Sequence, residues 1–196
     1  MNISIILGHP NPLSFSHAIA QTALHILKGL GHTIFYHDLY AEVFDPNLPF
    51  DELDENAELS ADIRNYCEEL RSSNGIIVVH PNWWGQPPAI VKGWVDRVFR
   101  PGIAYKFLEG DKGEGVPLGL LKANAALVLN TSNTPSEREL KVFGDPLETL
   151  WKNCIFTLCG IENVFRRNFG VVITSSEKRR KIWLEEVKQI IENYFP

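Results

Sequence analysis

"GIIVVHPNWWGQPPAIVKGWVDRVF", residues 75–99, contains a strand, a loop and a helix in succession. Gly75–Val79 is a continuous apolar run of the kind buried on both faces of a parallel sheet. Residues 88–99 carry Val91, Trp94, Val95 and Val98 on one apolar helical face. The loop between them holds Pro81, Pro87 and Pro88 with Trp83 and Trp84, two of the five tryptophans of the chain. A core has no need of tryptophan in a proline-rich loop at a strand end. A flat aromatic ligand would use it, and so would a hydrophobic lid or a subunit contact.

The same strand–loop–helix pattern repeats on either side. Residues 2–7 read as a strand and residues 16–29 as a helix with the stripe Ile19, Ala23, Ile26, Leu27 and Leu30. Gly29 and Gly31 end that helix. Residues 33–37 form a second strand, 44–56 an acidic loop, and 58–72 a helix capped by Ser60 or an earlier polar group. Past residue 99 comes a glycine-rich excursion, Pro101 to Gly119. A strand follows at Ala125–Leu129, then a helix at 145–158 opened by Asp145-Pro146. A fifth strand lies within 162–172, and a C-terminal helix starts near Ser175, Ser176 and Glu177. Five strands alternating with helices give an α/β, doubly wound parallel sheet with helices on both faces. Five strands favour the flavodoxin-like order 2-1-3-4-5, with residues 1–196 as a single domain.

The chain has 196 residues, 44% hydrophobic and 22% charged, enough for a full core. A net charge of −5 argues against a dedicated nucleic-acid binder, which needs a basic surface. The N-terminus has no signal-peptide pattern, and no apolar run reaches the roughly 18 residues that span a bilayer. Cys67, Cys154 and Cys159 are odd in number and lack CxxC spacing. They point to a reducing cytoplasm, with Cys154 and Cys159 read as buried structural thiols. No metal site is expected.

In such a sheet, ligands bind beyond the carboxyl ends of the strands, near the switch between the first and third. Three loops reach that place. The first offers His9, Asn11, Ser14, Phe15, Ser16 and His17 before a helix N-terminus. It has neither GxGxxG nor a P-loop, yet hydroxyls and backbone N–H groups there can hold a phosphate, or simply cap the helix. The second offers Pro81, Asn82, Trp83 and Trp84, whose amides and rings suit an isoalloxazine. The third, Asn130 to Asn133, suits hydrogen bonds to a pyrimidine edge and is also ordinary turn chemistry.

His9-x-Asn11 with Ser14-Phe15-Ser16, the stretch Pro81–Phe99, GIAYKF ending at Phe107, and FGDPLETLWKNCIFTLCGI (143–161) resemble a known family. It is that of the NAD(P)H:quinone oxidoreductases of the DT-diaphorase type and their shorter bacterial relatives. Those relatives include the ancillary subunits of glutathione-gated potassium efflux systems. The resemblance implies a flavodoxin-like homodimer with flavin at the subunit interface. NAD(P)H and a quinone would take turns on one face of the ring, in ping-pong order, with no side-chain nucleophile. By that likeness His9, Ser14, Phe15 and Ser16 hold the phosphate end, with Asn11 beside them. Pro81, Asn82, Trp83 and Trp84 border the ring, with Trp84 as the ring-side tryptophan, and Thr131, Ser132 and Asn133 meet the pyrimidine edge. Tyr105 and Phe107 enter the partner's substrate pocket. The sequence departs from the longer members at Phe143, where they carry His, and near Glu137, where they carry Tyr. Backbone amides of residues 130–133, Arg138 or Lys141 are the candidates to replace that pair. No adenine-contacting segment is recognisable in residues 44–60, which favours FMN over FAD. A transporter-regulating subunit and a flavodoxin-type electron carrier remain the alternative readings.

Overall fold

The computed structural model describes residues 1–108, 110 and 115–196. In chain order the elements are β1 (Asn2–Leu7), α1 (Phe15–Gly29), β2 (Thr33–Asp38), α2 (Ala61–Ser72), β3 (Gly75–Pro81) and α3 (Ala89–Val98). Then come β4 (Tyr105–Lys106), β5 (Leu118–Gly119), β6 (Ala125–Ser132), α4 (Ser136–Phe143), α5 (Pro146–Thr149), β7 (Val164–Gly170) and α6 (Glu177–Tyr194). A π-helical segment, Leu150–Thr157, continues α5. The five long strands form one sheet in the order β2-β1-β3-β6-β7, all neighbours parallel. Counted over these five alone, this is the expected 2-1-3-4-5 order. No helix among the described residues is long and apolar enough to cross a membrane.

Strand alternation divides the core into two layers. Ile3, Ile5, Leu7, Ile77, Val79, Leu127 and Leu129 pack under α1 and α6. Ile6, Ile76, Val78, Ala126 and Val128 pack under α2, α3 and the Pro146–Thr157 region. Each such valine, leucine or isoleucine, fully buried, contributes roughly 1.5–3 kcal/mol. Ser4 is the polar exception on the second face, and its hydroxyl is matched by that of Ser73 at 2.6 Å.

Several expectations change in detail. The stripe of α1 is Ile19, Ala20, Ala23 and Leu27; Ile26 is half-buried, and Leu30, past the helix end, is exposed. Strands β3 and β6 run two and three residues beyond their apolar stretches. Asn130, Thr131 and Ser132 are therefore strand residues, paired with Asn168, Phe169 and Gly170. Helix α4 had no sequence signal, because Leu140, Val142 and Phe143 are exposed and Glu139 is the residue it buries. Cys159 is buried and Cys154 exposed, so the pair are not two buried thiols. Val91, Trp94 and Val98 of α3 are buried against the protein's own sheet. Val95, the fourth residue of that stripe, is only partly buried. The excursion after Pro101 forms the short antiparallel pair β4–β5, and residues 109 and 111–114 within it lie outside the described residues.

Candidate functional site

The ends of β1, β3 and β6 converge on a cavity of about 380 Å³. It is lined by His9, Asn11, Leu13, Ser14, Phe15 and Ser16 from the first loop, and by Pro81, Asn82 and Trp83 from the second. Thr131, Ser132, Asn133 and Thr134 line it from the third, Val172 from the β7–α6 connection and Arg180 from the first turn of α6. Eleven of the twelve residues expected to hold a cofactor thus meet in one place. Trp84 is the exception.

The first loop is tied by its own polar groups. Asn11 N donates to His9 Nδ1 at 3.0 Å, and Leu13 N to Asn11 Oδ1 at 2.9 Å. Ser14 caps α1, its Oγ accepting from His17 N at 3.2 Å. His17 Nε2 lies 2.9 Å from Asp38 Oδ2, and His17 Nδ1 lies 3.0 Å from Ser14 Oγ. His17 thus bridges the Ser14 cap and Asp38 at the end of β2. His9 is pulled below the ordinary histidine value, by burial first and by neighbouring His17 second. A neutral ring is the result, its Nδ1 engaged with the loop and its centroid 6.1 Å from that of Trp83.

The second loop is a tight hairpin turn. Trp83 N donates to Gln86 O and Gln86 N to Trp83 O, both at 3.0 Å. The two central residues, Trp84 and Gly85, have φ of 59° and 71°. Positive φ at both is the demand of a type I′ turn, for which glycine or asparagine is preferred. Trp84 is a costly choice there, of order 1–3 kcal/mol, and its ring stands fully exposed at the tip. Trp83, by contrast, faces the cavity. The turn is braced from behind: Asn82 Oδ1 accepts from Gly85 N at 3.0 Å and Asn82 Nδ2 donates to Glu139 Oε1 at 2.5 Å. Glu139 is buried, and its other oxygen has no partner among the described residues.

Behind Pro81 lies His80, fully buried. Trp151 Nε1 donates to His80 Nε2 at 2.9 Å, and His80 Nδ1 lies 2.8 Å from Pro81 O. One nitrogen accepts and the other donates, which defines a neutral tautomer. Burial pushes its pKa down to about 4. In the third loop Ser132 Oγ accepts from Thr134 N at 2.9 Å, and Ser16 Oγ pairs with Thr131 Oγ1 at 3.1 Å. Asn133 Oδ1 is engaged with Ile173 N at 2.9 Å.

The remaining expected residues lie elsewhere. Tyr105 and Phe107 pack edge-to-face at 5.8 Å, and neither lines this cavity. Lys141 pairs with Glu137 at 2.6 Å and Arg138 lies over Phe143, so neither candidate cation reaches the site. Arg180 is the cavity's cation instead. A sequence reading had no means to single it out from its basic neighbours.

A larger cavity, about 590 Å³, lies beside His37, Glu42, Tyr66 and Arg97. Its groups satisfy one another. His37 sits between Glu42 and Glu69, at 3.1 and 2.5 Å, and Tyr66 donates to Glu42. Arg97 is held by Glu52 at 2.5 Å. The smaller cavity at the strand ends keeps unsatisfied binding capacity and is the better site.

Comparison with known proteins agrees with this geometry. A family described as "Flavodoxin-like fold" matches residues 1–191. An uncharacterised NAD(P)H oxidoreductase of Haemophilus influenzae is 35% identical over 192 residues, covering 96% of this chain and 93% of the relative. Human ribosyldihydronicotinamide dehydrogenase [quinone] is 28% identical over 215 residues, covering 96% and 91%. The solved NAD(P)H:quinone oxidoreductase of Methanothermobacter marburgensis superposes with a TM-score of 0.82 at 25% identity, covering 98% of this chain and 96% of that one. With its sheet order, its strand-end cavity and a match over residues 1–191, the chain belongs to the family of flavodoxin-like fold.

Proposed function

We propose that this protein is a flavin-dependent NAD(P)H oxidoreductase that reduces quinones or similar electrophilic acceptors, acting as one domain in the cytoplasm. The observation that carries the reading is the convergence of three strand-end loops, with Trp83 among them, on one cavity at the β1/β3 switch. The names of the human and Methanothermobacter relatives support the acceptor class.

The residues present fit a flavin. Among the described residues, the lining contains no aspartate or glutamate, one arginine, a set of hydroxyls and an indole. Phe15, Ser14 and Ser16 would border the phosphate end at the α1 N-terminus, with His9 and Asn11 shaping the loop. Pro81, Asn82 and Trp83 would border the ring, and Thr131, Ser132 and Asn133 its pyrimidine edge. A bound flavin supplies two-electron hydride transfer between NAD(P)H and the acceptor. The chain's own contribution is orientation and exclusion of water. His80 and Trp151 hold the Pro81 carbonyl, and Asn82 with Glu139 holds the turn, so the ring wall is preorganised. No nucleophile is required: burial raises the Cys159 thiol to about 12 and the Cys67 thiol to about 11.

Trp84, Tyr105 and Phe107 serve a partner subunit in this reading. Trp84 and Phe107 are exposed, and neither Tyr105 nor Phe107 lines the cavity of its own chain. A homodimer would place them at the second site. The cofactor is FMN in preference to FAD.

Purified protein should be yellow, and heating should release a compound with the mass of FMN. A colourless protein that takes up neither FMN nor FAD would end the proposal. Sedimentation equilibrium at micromolar concentration tests the dimer, and a monomer mass removes the role of Tyr105 across the interface.

A further inference from the structure

We infer that Arg166 is a positioning residue of the ring-side wall: it pins the corner between α4 and α5, and that corner sets the Trp83–Gln86 turn against the flavin. The inference rests on the flavin reading above. Arg166 stands in β7 beside Val128 of β6, on the sheet face that packs under the Pro146–Thr157 region. Its neighbour Arg167 lies on the opposite face and pairs with Glu186 of α6.

The Arg166 side chain is 7% exposed and joins three places at once. Nε donates to Glu148 Oε2 of α5 at 2.9 Å, Nη1 to Asn130 Oδ1 of β6 at 2.8 Å, and Nη2 to Asp145 Oδ2 at the corner. Asn130 is itself fixed, its Nδ2 donating to Asn168 Oδ1 at 2.9 Å. Stability alone does not call for this cluster. Leu147 and Trp151, both fully buried, already anchor α5 and its continuation in the core. A buried ion pair is often matched or bettered by apolar packing. What the guanidinium fork supplies is the place of Asp145. That residue precedes α5, where an aspartate usually accepts from the helix N–H groups. Here it makes no such cap, and its carboxylate turns to Arg166 instead. Its φ of 48° lies in the left-handed region, a conformation that the surroundings must hold.

The corner reaches the turn by two routes. Asp145 N donates to Glu139 O at 3.0 Å, and the Glu139 carboxylate accepts from Asn82 Nδ2. Pro146 lies directly against Gly85: a Cβ on that glycine would stand 2.7 Å from Pro146 Cγ. That contact has no slack, so a corner that moves takes the turn with it. The turn carries Trp83, which lines the cavity.

The test compares full-length wild type, Arg166→Met, Asp145→Asn and the double variant. In flavin-free protein, amide hydrogen exchange is followed at Gly85 and Gln86, whose N–H groups close the turn. Relative to Ile77 and Val79 of β3, both amides should exchange about tenfold faster or more in each single variant. In FMN-loaded protein, the limiting rate of flavin reduction is measured at saturating NADH or NADPH, whichever the wild type uses. It should fall by about tenfold to a hundredfold, the scale of a misplacement of about 1 Å, with FMN affinity and the half-saturating reductant concentration within about threefold. Because Arg166 acts through Asp145, the double variant should be no slower than the slower single one. Arg166→Lys keeps the charge, loses the fork and regains part of the rate. Arg167→Gln removes an equal charge from the opposite face and leaves both readouts as in the wild type. Should Arg166→Met fail to fold, Arg166→Lys and Asp145→Asn are read in the same way. A folded Arg166→Met with an unchanged limiting rate, or with unchanged relative exchange at the turn, would overturn the proposal. Additive losses in the double variant would overturn it in favour of general destabilisation. Wild-type protein that takes up no flavin, or whose flavin neither NADH nor NADPH reduces, refutes the flavin reading, and the proposal falls with it. Failure in the Arg166 variants alone leaves that reading standing.

Discussion

His80 should make the protein lose stability between pH 6.5 and pH 4, and His80→Gln should remove that loss. The imidazole is fully buried, accepts from Trp151 Nε1 and faces Pro81 O, so the folded chain holds it neutral. Its folded value is about 4 against an ordinary 6.5. Between those values the unfolded chain carries one more proton than the folded one. Stability therefore falls as pH falls, by about 1.4 kcal/mol per unit. From pH 7 to pH 4.5 the loss assigned to this one group is about 2–3 kcal/mol, a large part of the 5–15 kcal/mol typical of a domain. Glutamine offers the indole N–H an acceptor and does not titrate. The variant starts less stable at pH 7, but that constant cost cancels when each protein is compared with itself at two pH values. Urea unfolding of flavin-free protein, followed by circular dichroism at pH 7 and pH 4.5, gives both differences. Flavin must be absent because a ligand of the native state adds its own pH dependence. Wild type should lose about 2–3 kcal/mol more than His80→Gln across this interval. Losses equal to within about 0.5 kcal/mol would show that His80 is not held as a buried neutral ring.

Gly93→Ala should destabilise the fold by about 1–3 kcal/mol or more, because a Cβ there would stand 2.2 Å from the backbone oxygen of Pro46 and 2.4 Å from its Cα. Wild-type stability in urea would contradict the close packing of α3 on that loop. Trp83→Ala should weaken flavin binding several-fold, the worth of one aromatic contact beyond its area. Trp84→Ala should weaken flavin binding less than Trp83→Ala does, and the reverse ranking in a fluorescence titration would reassign the ring-side tryptophan. Trp84→Gly should raise the urea midpoint by relieving the positive φ, about 1 kcal/mol, and a fall would mean that the indole has a stabilising partner.

The sheet was legible in the chain because its physics is local. Gly75–Val79 and Ala125–Leu129 are unbroken apolar runs, and a strand buried on both faces has no other way to be written. Their alternation with helical stripes left one common topology for five strands. The three loops were legible as a group for the same reason: topology brings strand ends together whatever their residues. What lay beyond reach depended on neighbours distant in sequence. His80 reads as the polar end of a strand until Trp151, 71 residues on, satisfies it in the core. Asn130–Ser132 look like a turn until Asn168–Gly170 pair with them and extend the strand. The stripe of α3 calls for a cover, and only the tertiary structure shows that the protein's own sheet supplies one for Val91, Trp94 and Val98. Trp83 and Trp84 are equal in sequence, and the I′ turn leaves the first partly exposed along the cavity wall and the second fully exposed at the tip. Lys178–Lys181 is a run of four like charges in which composition distinguishes no member. Tertiary structure selects Arg180, because the packing of α6 against α1 through Trp183 and Phe15 brings that one side chain to the cavity of the three strand-end loops.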